Sequence, residues 1–177
     1  MRVIAGLYKG RKLNEFKGNF VRPTLDMARE SLFNILSTRV IGANFLDAFS
    51  GTGAVGIEAL SRGAKSVVFN DLSKESVNLI KENLKKLGAI DNATIKSGDA
   101  VVLMRNSSVK FDIIFLDPPY NSSNAERILE SARDCLVDGG IIIFEDEKPI
   151  DIIISGLKII DKRKYGRAHF SFFEKGE

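Results

Sequence analysis

The sequence predicts an α/β fold, a mostly parallel sheet with helices on both faces, and three observations predict it. After Gly42, short apolar runs alternate with stretches of helical periodicity, the order that builds parallel sheets. A glycine-rich turn separates the first of these runs from the helix that follows it. The chain closes on two strand-like runs around Gly166, which adds an antiparallel edge.

The elements follow in order. Residues 2–5 and 11–14 flank a turn containing Gly6 and Gly10, the pattern of a small β-hairpin. Thr24 is a candidate N-cap for a helix to about Leu36, because Leu25, Ala28, Leu32, Ile35 and Leu36 recur at helical spacing. Residues 45–49 read as a short buried strand. The glycine turn comes next, then a helix over 57–62 ended by Gly63, and a second strand over 66–69. Ser73 caps a helix whose Val77, Ile80, Leu84 and Leu87 share one face, and Gly88 stops it. Residues 93–96 and 111–116 are the third and fourth strands, 128–136 a helix, and 140–144 the fifth strand. Residues 157–165 and 168–173 form the closing hairpin. No repeat or linker divides the chain, so one domain is expected over 1–177, with a hairpin and helix extension over 1–40 and a Rossmann-like core over 41–177.

Hydrophobic residues make up 44% and charged residues 28%, as in soluble globular chains. Cys135 is the only cysteine, so no internal disulfide can form, and a reducing, cytoplasmic location is expected. No apolar run approaches the ~20 residues of a membrane span, and the apolar start is too short for a signal peptide. The net charge of +3 is uneven. The first 40 residues hold Arg2, Lys9, Arg11, Lys12, Lys17, Arg22, Arg29 and Arg39 against Glu15, Asp26 and Glu30. Lys162, Arg163, Lys164 and Arg167 form a second basic cluster. Two basic ends suit a polyanion; a merely solubilising surface explains the same charges.

Gly51, Gly53 and Gly56 have the G-x-G-x-x-G spacing between a strand and a helix, where glycine permits a sharp turn and close approach of a ligand to the backbone. Asp71 lies at the end of the next strand, 20 residues after Gly51, where a carboxylate can accept bonds from both ribose hydroxyls. These residues point to an adenosine-containing cofactor, either a nicotinamide dinucleotide or S-adenosylmethionine. Asp47, at the mouth of the loop, and Asp117, at the end of the fourth strand, would repel a pyrophosphate but suit a sulfonium and an α-ammonium group. Asp47 also reads as a charge complementing a helix N-terminus. Asp99 is a candidate acceptor for the adenine amine and also reads as the N-cap of a following helix. Phe49, Leu72 and Ala100, next to these positions, complete the expected cofactor set.

Asp117-Pro118-Pro119-Tyr120 follows the fourth strand. Two prolines fix the backbone and remove two N–H donors, leaving the carbonyls of Asp117 and Pro118 free. An aryl amine is a poor nucleophile because its lone pair is delocalised into the ring. The Asp117 carboxylate and the Pro118 carbonyl can hold its protons, orient the lone pair toward a sulfonium methyl, and stabilise the charge that grows on nitrogen. Tyr120 can stack on the target base. A rigid proline turn with an incidental aromatic is the alternative.

Asp117-Pro118-Pro119-Tyr120 resembles the (D/N)PPY motif of amino-group methyltransferases. Nearly the whole chain resembles the RsmD-type 16S ribosomal RNA guanine-N2 methyltransferases. Further motifs carry that resemblance: Arg2-Val3-Ile4-Ala5-Gly6, Gly10-Arg11-Lys12-Leu13, Arg22-Pro23-Thr24, Arg29-Glu30-Ser31-Leu32-Phe33-Asn34, Leu46-Asp47-Ala48-Phe49-Ser50-Gly51-Thr52-Gly53, Glu58-Ala59-Leu60-Ser61-Arg62-Gly63-Ala64 and Tyr165-Gly166. The resemblance implies a seven-stranded class I methyltransferase fold, S-adenosylmethionine as cofactor, and a guanine of small-subunit RNA as target. It makes the basic extension an RNA-contacting element, with Arg2, Arg11, Lys12, Arg22, Thr24 and Arg29 as candidate contacts. A monomer without metal or membrane partner is expected. The family has Glu where this chain has Asp71, one methylene shorter. An adenine-N6 or cytosine-N4 DNA methyltransferase, and a non-catalytic RNA-binding module on the same fold, are the competing readings. Cys135 reads as core packing, His169 as a strand residue without a metal site, Tyr165 as a turn aromatic, and Glu145 as functional or merely exposed.

Overall fold

A computed structural model of the chain describes residues 1–17, 23–119 and 124–176. Seven strands form one sheet in the order β3-β2-β1-β4-β5-β7-β6. They are β1 (Asn44–Asp47), β2 (Ser66–Asp71), β3 (Ala93–Ser97), β4 (Phe111–Leu116), β5 (Leu136–Asp146), β6 (Leu157–Tyr165) and β7 (Ala168–Lys175). The pairs among β1 to β5 are parallel, while β7 runs antiparallel to both β5 and β6. The helices are α1 (Pro23–Leu36), α2 (Ala54–Ser61), α3 (Lys74–Leu87), α4 (Ala100–Arg105) and α5 (Ala125–Asp134).

Each central strand is apolar on both faces, so the sheet carries two cores. Phe45, Ile113, Phe115, Ile141 and Ile143 pack under α1, α2 and α3. Leu46, Ile114, Leu116, Ile142 and Phe144 pack under α4 and α5. The alternation follows from the two-residue period of side chains along a strand. No helix among the described residues is long and apolar enough to cross a membrane.

Several boundaries depart from the sequence reading. The N-terminal hairpin is reduced to one isolated antiparallel bridge, Arg2 to Lys12. Beyond that bridge, residues 4–8 bond to α2 instead of the facing strand. The Glu58 carboxylate accepts the N–H groups of Ile4 (2.8 Å) and Ala5 (3.0 Å) and pairs with Arg62 at 2.8 Å. Ser61 accepts from Leu7 and Tyr8. Helix α1 starts at Pro23, a residue suited to the first helical turn, so Thr24 lies inside the helix and is not its N-cap. Helix α5 ends at Asp134, and Leu136 already belongs to β5. The six-residue α4 was foreseen only through its cap: Asp99 Oδ1 accepts from Val102 N at 2.9 Å. The reading of α3 needs no change, since Ser73 caps it and Gly88 ends it with φ +68°.

Candidate active site

Strands β1 and β4 are neighbours in the sheet, but the chain leaves them toward opposite edges. Their carboxyl ends therefore border a crevice, the usual ligand position in open parallel sheets. A cavity of about 450 Å³ opens there. It is lined by Phe49, Gly51, Asp71, Leu72, Asp99, Ala100, Asp117, Pro118 and Pro119, all singled out from sequence, and by Ala48, Asn70 and Gly98, which were not.

The glycine turn is held to the ends of β1 and β2. Asp71 Oδ2 accepts from Gly51 N at 2.8 Å, and its Oδ1 accepts from Ser73 N at 2.8 Å. Gly51 and Gly53 adopt φ values of +53° and +80°, which glycine tolerates without strain. Asn70 ties three strand ends together: its Nδ2 donates to the carbonyls of Ala48 (3.1 Å) and Gly98 (3.0 Å), and its N–H donates to Ser50 Oγ at 3.1 Å. Asn70 and Gly98 stand directly before Asp71 and Asp99 in sequence, and neither carries a charge that would mark it. Leu72 is 76% exposed on the cavity rim, an apolar surface of the kind a planar base covers.

The lining carries three carboxylates (Asp71, Asp99 and Asp117) and, among the described residues, no Lys or Arg. That charge fits an adenosine group bearing a cation and disfavours a pyrophosphate. Burial pushes the Asp117 carboxyl up to about 7, with Asp146 adding repulsion. Burial likewise raises Asp47 to about 7, opposed by its bond from Gly56 N and reinforced by Asp117 and Asp71. Glu145 is raised to about 8 by burial and then by Asp117. Glu145 is thus not an exposed strand end: only 8% of its surface is accessible.

Other sequence candidates are placed differently. Asp47 does not line the cavity; it is 1% exposed beneath the loop, its Oδ2 accepting from Gly56 N at 3.0 Å at the start of α2. This is the helix-terminus alternative for Asp47. Gly53 is the N-cap of α2. Gly56 faces the sheet, and a Cβ there would sit 2.3 Å from the Phe69 ring, so Gly56 serves helix packing rather than ligand approach. Arg29 departs from its expected RNA contact. It is 6% exposed, donates to Arg2 O at 2.7 Å and to Asp26 at 3.1 Å, and lies 3.9 Å from Glu58. Arg2, Arg11 and Lys12 are exposed, with Arg11 donating to Lys86 O at 2.9 Å. Tyr120, Arg22 and the side chain of Thr24 lie outside the described residues. Tyr165 bonds through its hydroxyl to Ser31 and tilts against Phe170, and Cys135 is buried.

A mostly parallel sheet in the order 3-2-1-4-5-7-6, with β7 antiparallel, a glycine turn after β1 and an acid–diproline corner after β4, defines the Rossmann-like class I methyltransferase fold. The family described as conserved hypothetical protein 95, the RsmD family, matches residues 1–174, and the chain belongs to it. YlbH of Bacillus subtilis is 33% identical over 182 residues, 99% of each chain. The ribosomal RNA small subunit methyltransferase D of Haemophilus influenzae is 35% identical over 158 residues, 86% of this chain and 82% of that protein. The solved yhhF structure from Escherichia coli superposes with a TM-score of 0.90 at 29% identity, covering 99% of this chain and 98% of that one.

Proposed function

We propose that this chain is an S-adenosylmethionine-dependent ribosomal RNA methyltransferase whose target is the exocyclic N2 amine of a guanine in small-subunit RNA. One observation carries the reading: the Asp117-Pro118-Pro119 corner and the Gly51 turn open onto the same acidic cavity. Relatives named as ribosomal RNA small subunit methyltransferases support the substrate class. The guanine follows from the family resemblance.

When bound, S-adenosylmethionine supplies an electrophilic methyl group on a sulfonium that leaves as a neutral thioether. The chain supplies position and charge. Asp71 would take the ribose hydroxyls, Leu72 and Phe49 the adenine faces, and Asp99, which caps α4, the adenine amine; all four line the one cavity. Asp117 and the Pro118 carbonyl hold the protons of the target amine and orient its lone pair. As nitrogen becomes positive, the Asp117 carboxylate stabilises it. A carboxyl raised to about 7 can then take the released proton near neutral pH.

Replacing Asp117 with Ala tests the assignment. At saturating labelled cofactor, turnover with undermethylated small subunits should fall more than tenfold, about 1.4 kcal/mol or more in barrier. Turnover within threefold of wild type would overturn the role of Asp117. Mapping of the labelled base tests the guanine.

A further inference from the structure

Glu145 has no part in the mechanism above, yet its position is hard to explain by folding alone. Leu116 of β4 and Phe144 of β5 are partners in the parallel ladder. Asp117 and Glu145 each follow by one residue, so they leave neighbouring strands side by side, roughly 4.8 Å apart at the backbone. Both lie two residues beyond side chains of the same core layer, Phe115 and Ile143, and therefore share a face.

On the other side, Glu145 pairs with Phe170 of β7, an apolar neighbour. The next residue across is Arg163 of β6, which is exposed and pairs with Asp161 at 2.9 Å. No cation among the described residues compensates the Glu145 carboxyl. Burial and the Asp117 charge both oppose its ionisation. A buried carboxyl beside another acid destabilises a fold, and such groups concentrate where a ligand is handled.

We propose that Glu145 is the specificity-determining residue of the base site, taking the N1–H of the target guanine while Asp117 takes its N2 amine. This rests on the guanine reading above. Bases extruded for methylation are read on their Watson–Crick edges. Guanine alone among the amino-bearing bases presents a second donor, N1–H, next to its amine. Adenine and cytosine present a lone pair there. A carboxylate beside Asp117 accepts from guanine N1–H and is stabilised by that donor, whereas the other two bases meet it with a lone pair. An apolar residue at 145 would leave N1–H without a partner, and a desolvated, unpaired group is what separates closely similar substrates.

The test compares guanine with 2,6-diaminopurine at the mapped target position. The analogue keeps the N2 amine and lacks N1–H. Wild-type kcat/KM should favour guanine by tenfold or more. Glu145→Met, of similar length and without polar atoms, should narrow that ratio to within threefold and raise the thermal midpoint of the ligand-free protein. Glu145→Gln, whose amide can turn to donate to N1 and accept from the 6-amine of the analogue, should narrow the ratio as well, because only an acceptor-only group refuses the lone pair. If the Met variant fails to bind S-adenosylmethionine in calorimetry, Glu145→Ala takes its place with the same criteria. A ratio unchanged from wild type in the apolar variant, with label still on guanine, overturns the assignment of Glu145 alone. Label mapped to adenine or cytosine in the wild type overturns the guanine reading and this assignment with it.

Discussion

Asp117 lines the cavity and Asp47 lies beneath its floor, and burial has raised both carboxyls to about 7. A sulfonium near them favours their charged forms, so cation binding must release protons at mildly acidic pH. Affinity for S-adenosylmethionine should therefore weaken as pH falls below about 7, approaching tenfold per pH unit for each proton displaced. S-adenosylhomocysteine, which lacks the sulfonium charge, should show a shallower decline; titration calorimetry from pH 5.5 to 8 compares the two. Parallel curves would show that these acids do not sense the cation. One glycine makes its own prediction at this scale. A Cβ on Gly56 would meet the ring of Phe69, which is fully buried. Gly56→Ala should therefore destabilise by about 1–3 kcal/mol through overpacking, measured by urea unfolding. The glycine spacing that draws attention to a cofactor thus includes one glycine kept for packing.

The N-terminal segment and α2 form one element pair. Glu58 is fully buried and anchors Ile4, Ala5 and Arg62. Gly6, at φ +81°, passes so close to α2 that a Cβ would fall 1.8 Å from Ser61 O. The stretches around residues 2–6 and 58–64, both part of the family resemblance, are thus two sides of one joint. Glu58→Ala should cost about 3–5 kcal/mol, the usual penalty for removing one side of a buried ion pair, with the N-terminal amides gaining hydrogen exchange. Exchange unchanged at Ile4 and Ala5 would rule out Glu58 as the anchor. Elements with local signals were legible in sequence: α3 has a serine cap, a clear apolar stripe and a terminal glycine. Helix α4 has only six residues and no stripe of its own, so its cap Asp99 was its one visible sign. The N-terminal hairpin read from the turn at Gly6 and Gly10 is a single bridge, because the amides of Ile4, Ala5 and Tyr8 turn to Glu58 and Ser61, partners more than 50 residues away in sequence.

Across the molecule, Asp47, Asp117 and Glu145 share one consequence. Their folded-state values, about 7, 7 and 8, lie above the ordinary 3.8 to 4.5. Between those limits the folded chain binds more protons than the unfolded one, so their contribution to stability is complete at low pH and is lost as pH rises through about 8. The ligand-free protein should melt at a lower temperature at pH 8.5 than at pH 6, by roughly 5 °C or more. Part of the difference should disappear with saturating S-adenosylmethionine. Equal melting temperatures would mean that these acids titrate normally. The mostly parallel sheet, its two helical faces and the antiparallel closing edge were legible, because alternating periods and right-handed crossovers leave few arrangements, whereas the spatial order of the strands came from the fold.

The sequence by itself determined the α/β class, the order of its strands and helices, and the residue types brought to the carboxyl ends of β1, β2, β3 and β4, because periodicity, caps and turn residues are local. Only the tertiary structure decided which of those residues face the cavity. It buried Asp47 and Gly56 under the loop, turned Arg29 inward onto the N-terminal segment, made Asn70 the tie between strand ends, and set Glu145 beside Asp117. Burial, register and the proximity of like charges depend on residues far apart along the chain, and one-dimensional spacing carries no record of them.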